Sequence, residues 1–515
     1  MQNSKWKSTE VTRVVIVGGG IAGLAAAKTL EEENWEDYIL LEGNYSIIVS
    51  HFRRFIISNI VLSPAQDKIG GRIDSIPWND NWIECGALCL YGEKSELAKV
   101  CQYYQLLSNV VSQKGAGIYV RDDGIRMDER LIKDINDVVQ SACNISENLE
   151  VGDSNTESNF GRALRSKLRK HFRIKSDPLT IRDMQEEIFD WYLRSLIIDN
   201  SCFTLDELSM KHLRNQESLG VEQFNFTTGY SSIIKFITQG LNPKNIRLNS
   251  PVEMIEWSQN MSIKNSNQLI VKPVLLTLAD KRQIFADCVI VTCSLGYLKE
   301  NHKQLFNPEL PLHLSQGIES LGFGLLNKIY LDFGESWWEP NSKGFQLIWS
   351  KNGQKVFTKQ KFATWTRDLT GFEVVKNHKA VLQGWVGGRG AYIIEMLSER
   401  QIAEDCANLL RHFLKKGDIP LPKRLKRTQW HSNKYIRGAY SHIPVNCDAN
   451  SVTPGTLTKP VWCTITHKGH DKCIPIIMLA GEATHEQYFS TTHGAFETGV
   501  KQAKTFLQYN IEKRI

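Results

Sequence analysis

Long apolar runs are missing from this 515-residue chain: the best candidate, IIVSHFRRFIISNIVL, carries Arg53 and Arg54 at its centre. A bilayer span needs roughly 18 uninterrupted apolar residues, so no transmembrane helix is expected and the protein reads as soluble. An excess of one charge is missing too. Lys and Arg number 62 against 56 Asp and Glu, a formal net charge of +6, which leaves no polybasic footprint of a nucleic-acid binder. A cysteine framework is also lacking, because the 11 cysteines are scattered and odd in number. That is the pattern of reduced thiols, not of a disulfide scaffold. The opening MQNSKWKSTE has no apolar signal core, and the final IEKRI is neither an SKL-type peroxisomal address nor a lipidation site. A cytoplasmic location is expected, with the nucleus open. With 42% hydrophobic and 23% charged residues, the composition is globular and the length suffices for two or three cores.

The first strong pattern lies near the N-terminus. The β-branched run Val14–Val17 leads at once into Gly18-Gly19-Gly20-Ile21-Ala22-Gly23 and then the helical LAAAKTLEEE. Gly18 permits a tight turn, Gly20 lets backbone approach a pyrophosphate, and Gly23 lets the helix pack closely on the strand. The helix N-terminus, including Ile21 and Ala22, then presents unpaired N–H groups to phosphate. A second strand, YILLE, ends at Glu42, where a carboxylate can accept from an adenosine ribose. An acid there favours FAD or NAD over NADP.

Gly70-Gly71-Arg72 follows, and far downstream comes GEATHEQYFSTTHGAFETG, Gly481–Gly499. Together with the N-terminal fingerprint, these blocks resemble the flavin-containing amine oxidases, in particular the spermine oxidase and N1-acetylpolyamine oxidase branch. The resemblance runs from about Val11 to Gln508. FTTGYSSIIKFI (Phe226–Ile237), NSPVEMI (Asn249–Ile255), LGFGLLNKIYLDF (Leu321–Phe333), GWVGG (Gly384–Gly388) and GAYS (Gly438–Ser441) match in order. The fold class it implies is α/β: a discontinuous Rossmann-like FAD-binding domain (10–100, 222–300 and 440–512) plus an α+β substrate-binding domain (101–221 and 301–439).

Several site roles follow from the resemblance. Gly71 and Arg72 would meet the pyrophosphate, Val252 the adenine through its backbone, and Glu482 the ribityl hydroxyls. Thr491 and Thr492 would open a helix aimed at the flavin pyrimidine, where its dipole stabilises reduced flavin. Lys328 matches the family lysine that holds a water near flavin N5, and partial desolvation should lower its proton affinity. Tyr440 matches an aromatic wall of the substrate cage, and Thr491 stands where monoamine oxidases place a second tyrosine. Ala439 occupies the position of their flavin-bearing cysteine, so dissociable, non-covalent FAD is expected. Tyr91 replaces a substrate-site histidine and Cys89 a tryptophan.

The implied reaction transfers hydride from spermine or an N1-acetylated polyamine to flavin N5. Hydrolysis of the imine gives aldehyde plus amine, and dioxygen is reduced to hydrogen peroxide. The alternative is a catalytically silent flavin-binding or partner-binding homologue. A chromatin lysine demethylase is disfavoured by the lack of a tower-like insertion.

Four further features stand apart from that resemblance. Cys463, His467, His470 and Cys473 have a zinc-like look, but their spacing is not a standard one and reads as a polar loop, so no metal is expected. Cys85 and Cys89 read as apolar packing. The run Asp183–Asp190 reads as a solvated helical face, with an acidic funnel for a polycation as the alternative. Finally, Gly43–Pro64 is extra relative to the family spacing. It is either a surface excursion or a translated, in-frame intron.

Overall fold

Val14–Val17 forms the strand its composition predicts, buried on both faces. It sits inside a six-stranded sheet ordered Ile246–Arg247, Tyr38–Leu41, Val14–Val17, Cys288–Val291, His470–Leu479 and Val461–His467. All neighbours run parallel except the last pair, which is a hairpin. This is a computed structural model, and it describes residues 9–43, 69–108, 115–143, 159–213, 223–258, 262–265, 268–351, 362–467 and 470–510. Of the extra segment, 44–64 lie outside the described residues.

Register matters more than order for what this sheet can do. Val17 is level with Leu41 and Val291, and Val291 is level with Leu479. The strands therefore stop together, and Gly18, Glu42, Thr292 and Gly481-Glu482 gather along one carboxyl edge. In doubly wound sheets that edge is where ligands bind. Helix Ile21–Glu32 covers one face and packs on helix Thr492–Asn510. The approach is close: a Cβ added at Gly499 would stand 2.1 Å from the Ala22 carbonyl oxygen.

A five-stranded sheet abuts this one, built from Thr9–Val11, Gln283–Ala286, Val274–Leu278, Val252–Trp257 and Phe306–Asn307. Its core takes in Leu305, Phe306, Leu310, Leu314 and Ile318. A second six-stranded sheet is mostly antiparallel and contains Asn327–Asp332 and Val381–Val386 as adjacent strands. Helices Glu129–Cys143, Phe160–Ile174 and Leu179–Asp199 enclose their own core around Ile135, Leu164 and Ile188. The architecture is the α/β, Rossmann-like one expected, with an α+β part beside it.

Two local readings are corrected. The segment around Cys463 and Cys473 is a strand pair, not a loop, with Cys463 opposite Ile474 and Thr464 opposite Cys473. Alternation within that hairpin leaves Cys463 buried and Cys473 exposed, and no metal-holding cluster occurs among the described residues. The acidic run is a solvated face only at Asp183 and Glu186, whose side chains are 52% and 44% exposed, and its pairing with cations leaves no acidic funnel. Glu187 is buried against Arg121, Asp190 meets Arg194 and Arg367, and Asp183 and Glu186 both hold Lys351. Helical spacing shows which residues share a face, but not that a facing sheet brings cations to it. Among the described residues, no helix is long and apolar enough to cross a membrane.

Candidate active site

A cavity of about 780 Å³ runs from the carboxyl edge of the first sheet to the second sheet. That volume lies in the upper part of the range for cofactor and small-molecule sites. At one end stand Gly18, Gly20, Ile21, Ala22, Glu42 and Val252. Gly18 holds φ +113°, and Gly23 sits so close to the turn that an added Cβ would lie 2.0 Å from the Gly18 oxygen. At Gly20 an added Cβ would meet nothing within 4 Å, so it would project into the open cavity. Gly20 N-caps the helix Ile21–Glu32 without a side-chain cap, and no acid lies in its first turn. These are the conditions for an anion at a helix N-terminus.

The remaining cofactor candidates assemble around this turn. Glu42 is 9% exposed, and its Oε2 accepts from Gly19 N at 2.7 Å. Gly70 N donates to Gly19 O at 2.8 Å, and Gly71, at φ +59°, abuts Gly20. Arg72 Nη1 donates to Ala439 O at 2.7 Å and to Glu482 Oε1 at 2.9 Å. Glu482 Oε2 accepts from Ser441 Oγ at 2.6 Å and from Ser490 N at 3.1 Å. Glu482 is therefore chiefly the anchor of Arg72, Ser441 and Ser490, and the acceptor capacity left to a ligand lies on Oε1.

At the opposite end Lys328 is 2% exposed. Its Nζ donates to Glu84 O at 2.8 Å and Gly86 O at 2.6 Å and stands 4.7 Å from the centre of the Trp385 ring. Burial depresses its proton affinity to a pKa of about 8, against the opposing pull of the Glu84 carboxylate. The sequence places this lysine on the strand Asn327–Asp332, whose antiparallel neighbour brings Trp385 directly opposite.

Tyr440 lines the same end, and its hydroxyl donates to Ile198 O at 2.9 Å and Asp199 O at 3.2 Å. Burial raises its phenol well above the ordinary value. Tyr91 is 47% exposed and also lines the cavity. It neighbours Cys89, and negative charge on that sulfur once it ionises, ahead of burial and Asp199, raises the Tyr91 phenol. Thr491 and Thr492 line the cavity as well, and the helix begins at Thr492. The Thr491 oxygen accepts from Gly494 N at 3.1 Å and its hydroxyl donates to Tyr488 O at 2.6 Å. It is a helix cap as much as a wall. Cys85 and Cys89 are buried as expected, yet both face the cavity, and Cys89 Sγ donates to Gln223 Oε1 at 3.7 Å.

All the candidate catalytic and cofactor residues thus border or support one cavity. Sequence reading left out Glu84, Thr292, Trp385 and Trp430. Thr292 was within reach, since it ends a buried strand, CVIV, as Gly18 ends VVIV. Its Oγ donates to Val17 O and Gly18 O, each at 3.0 Å. Trp430 Nε1 donates to Cys85 O at 3.2 Å, a contact that no local spacing announces.

The residues present fit an elongated anionic cofactor. The void beyond Gly20, the uncapped helix start and the buried Glu42 lie at one end, and a desolvated lysine at the other. A family model described as Flavin containing amine oxidoreductase matches residues 21–507. The peroxisomal N(1)-acetyl-spermine/spermidine oxidase of Bos taurus is 25% identical over 95% of this chain and 94% of its own length. The probable polyamine oxidase 5 of Arabidopsis thaliana is 24% identical over 96% of this chain and 98% of its own. A solved structure of putrescine oxidase bound to putrescine superposes with a TM-score of 0.66 at 16% identity, covering 97% of this chain and all of that one. At that identity the likeness speaks to the fold.

Proposed function

The chain belongs to the family of flavin containing amine oxidoreductases, and from that premise we propose that it oxidises a polyamine, spermine or an N1-acetylated polyamine, using non-covalent FAD. The observation that carries this reading is Lys328, buried at the cavity end remote from Glu42 and held by two backbone carbonyls. The turn Gly18–Gly23 and Arg72 would hold the pyrophosphate, Glu42 the ribose, Val252 the adenine, and Glu482 and Thr492 the flavin side. When bound, FAD supplies the two-electron acceptor and returns the electrons to dioxygen as hydrogen peroxide.

The chain's own residues orient and desolvate. Two of the three positions on the Lys328 nitrogen are committed to Glu84 O and Gly86 O, so the third is free to hold a water toward the cavity. Near pH 8 the amine is partly neutral, and its lone pair can take a proton from that water as it adds to the substrate imine. Collapse of the resulting carbinolamine gives aldehyde and the smaller amine. Tyr440, Tyr91 and Trp385 present rings to a cationic chain, and the two carbonyls that accept from Tyr440 fix its ring.

A peroxide assay across N1-acetylspermine, spermine, spermidine and a monoamine tests this. Turnover of one of the first two in preference to the monoamine is expected. Flavin-loaded protein inert toward every amine would instead identify a silent flavin-binding homologue.

A further inference from the structure

Behind the cavity wall, one residue joins the two functional ends of the flavin side. We propose that Glu84 is a positioning residue that locks Lys328 and the first turn of helix Thr492–Asn510 into one frame, with Tyr230 as the connecting side chain. The inference rests on the FAD reading above.

Neither Glu84 nor Tyr230 lines the cavity. Glu84 is 8% exposed and Tyr230 fully buried. The Glu84 carbonyl accepts from Lys328 Nζ at 2.8 Å and from the Tyr330 hydroxyl at 2.7 Å. Its carboxylate faces the other way: Oε1 accepts from Tyr230 N at 2.8 Å, and Oε2 accepts from Ser75 Oγ at 2.7 Å. Ser75 Oγ in turn accepts from Ser231 N at 2.9 Å. The Tyr230 hydroxyl hydrogen-bonds the Thr492 hydroxyl, at the helix start that faces the cavity. The backbone of Glu84 therefore sets the lysine, while its side chain sets the tyrosine that sets the helix.

A buried carboxylate is costly, and an apolar residue or glutamine would pack here with less desolvation. What the charge adds is its proximity to the lysine. The groups that face Lys328 are Glu84, Cys85, Cys89 and Asp74, and each favours its protonated form against burial. Glu84 is the strongest of them. Removing its charge while keeping its shape should make Lys328 lose its proton at lower pH.

The test uses the FAD-loaded protein and does not depend on turnover. The visible spectrum of the bound oxidised flavin is titrated with pH in the wild type, E84Q, Y230F and K328M, and FAD retention is measured for each. A midpoint that K328M abolishes belongs to the lysine. E84Q should lower that midpoint by about half a unit or more. Y230F should leave it in place and weaken FAD retention about 3- to 10-fold. Glu84→Asp, which keeps the charge and shortens the reach, should hold the midpoint near wild type, and it replaces E84Q if that variant does not fold: a midpoint equal to wild type with retention lost then supports the frame. Midpoint and retention both unchanged in E84Q and Y230F, or both unchanged in Glu84→Asp and Y230F, overturn the proposal. Failure of any amine to bleach the flavin would remove the polyamine reading and leave these measurements intact.

Discussion

The two ends of the cavity are built in opposite ways. The end at Glu42 is made by main chain: strands that stop in register, a glycine turn that leaves room, and a helix start with free N–H groups. The end at Lys328 is made by the side chains of Lys328, Trp385, Trp430 and Tyr440, which come from separate parts of the chain and are held by contacts such as the Glu84 carbonyl. Backbone geometry tolerates change in most side chains but not a misplaced Cβ. A site of converging side chains tolerates the loss of one member and changes its chemistry.

The sharpest way to break the first end is Gly23→Val. Its Cβ would strike the Gly18 oxygen, so the strand and helix must separate. FAD retention should fall by at least about 100-fold, on the order of 3 kcal/mol, and the purified protein should be colourless. Lys328→Met should do the reverse: FAD stays bound and is still bleached by amine, while aldehyde release slows by about 100-fold, as read by an aldehyde assay during turnover.

The pH dependence sharpens the same contrast. Lys328 loses its proton near pH 8 in the folded chain, below its ordinary value of 10.5. The unfolded chain therefore binds more protons between those values, and stability from this residue is lowest below pH 8 and rises toward 10.5. Denaturant titrations across that window should show the rise in wild type and a flatter line in Lys328→Met. The smallest effect is expected at Tyr91. Tyr91→His restores a group titrating near pH 6.5 and should add an acidic limb to the rate profile, changing the neutral-pH rate only a few-fold.

The same contrast explains what was legible in the sequence. Gly18, Gly20, Gly23 and Glu42 are read from local spacing, because one strand-turn-helix fixes them all. Lys328, Tyr440 and Arg72 were reached only through resemblance, since nothing local says that Asn327–Asp332 ends beside Glu84. Glu84 itself was passed over because its role depends on Tyr230 and Lys328, both far away in the chain. The acidic run Asp183–Asp190 shows the converse error. Its helical face was read correctly and stays solvated at Asp183, but the partners that pair it, Arg121, Arg367 and Lys351, come from other elements.

The most direct test of the central claim is anaerobic mixing of the flavin-loaded protein with spermine or N1-acetylspermine across pH. Bleaching of the flavin absorption is expected with either amine, followed by aldehyde release with a rate that increases through pH about 8 as Lys328 loses its proton. An unbleached flavin with both amines, or a rate indifferent to pH in that range, would contradict it.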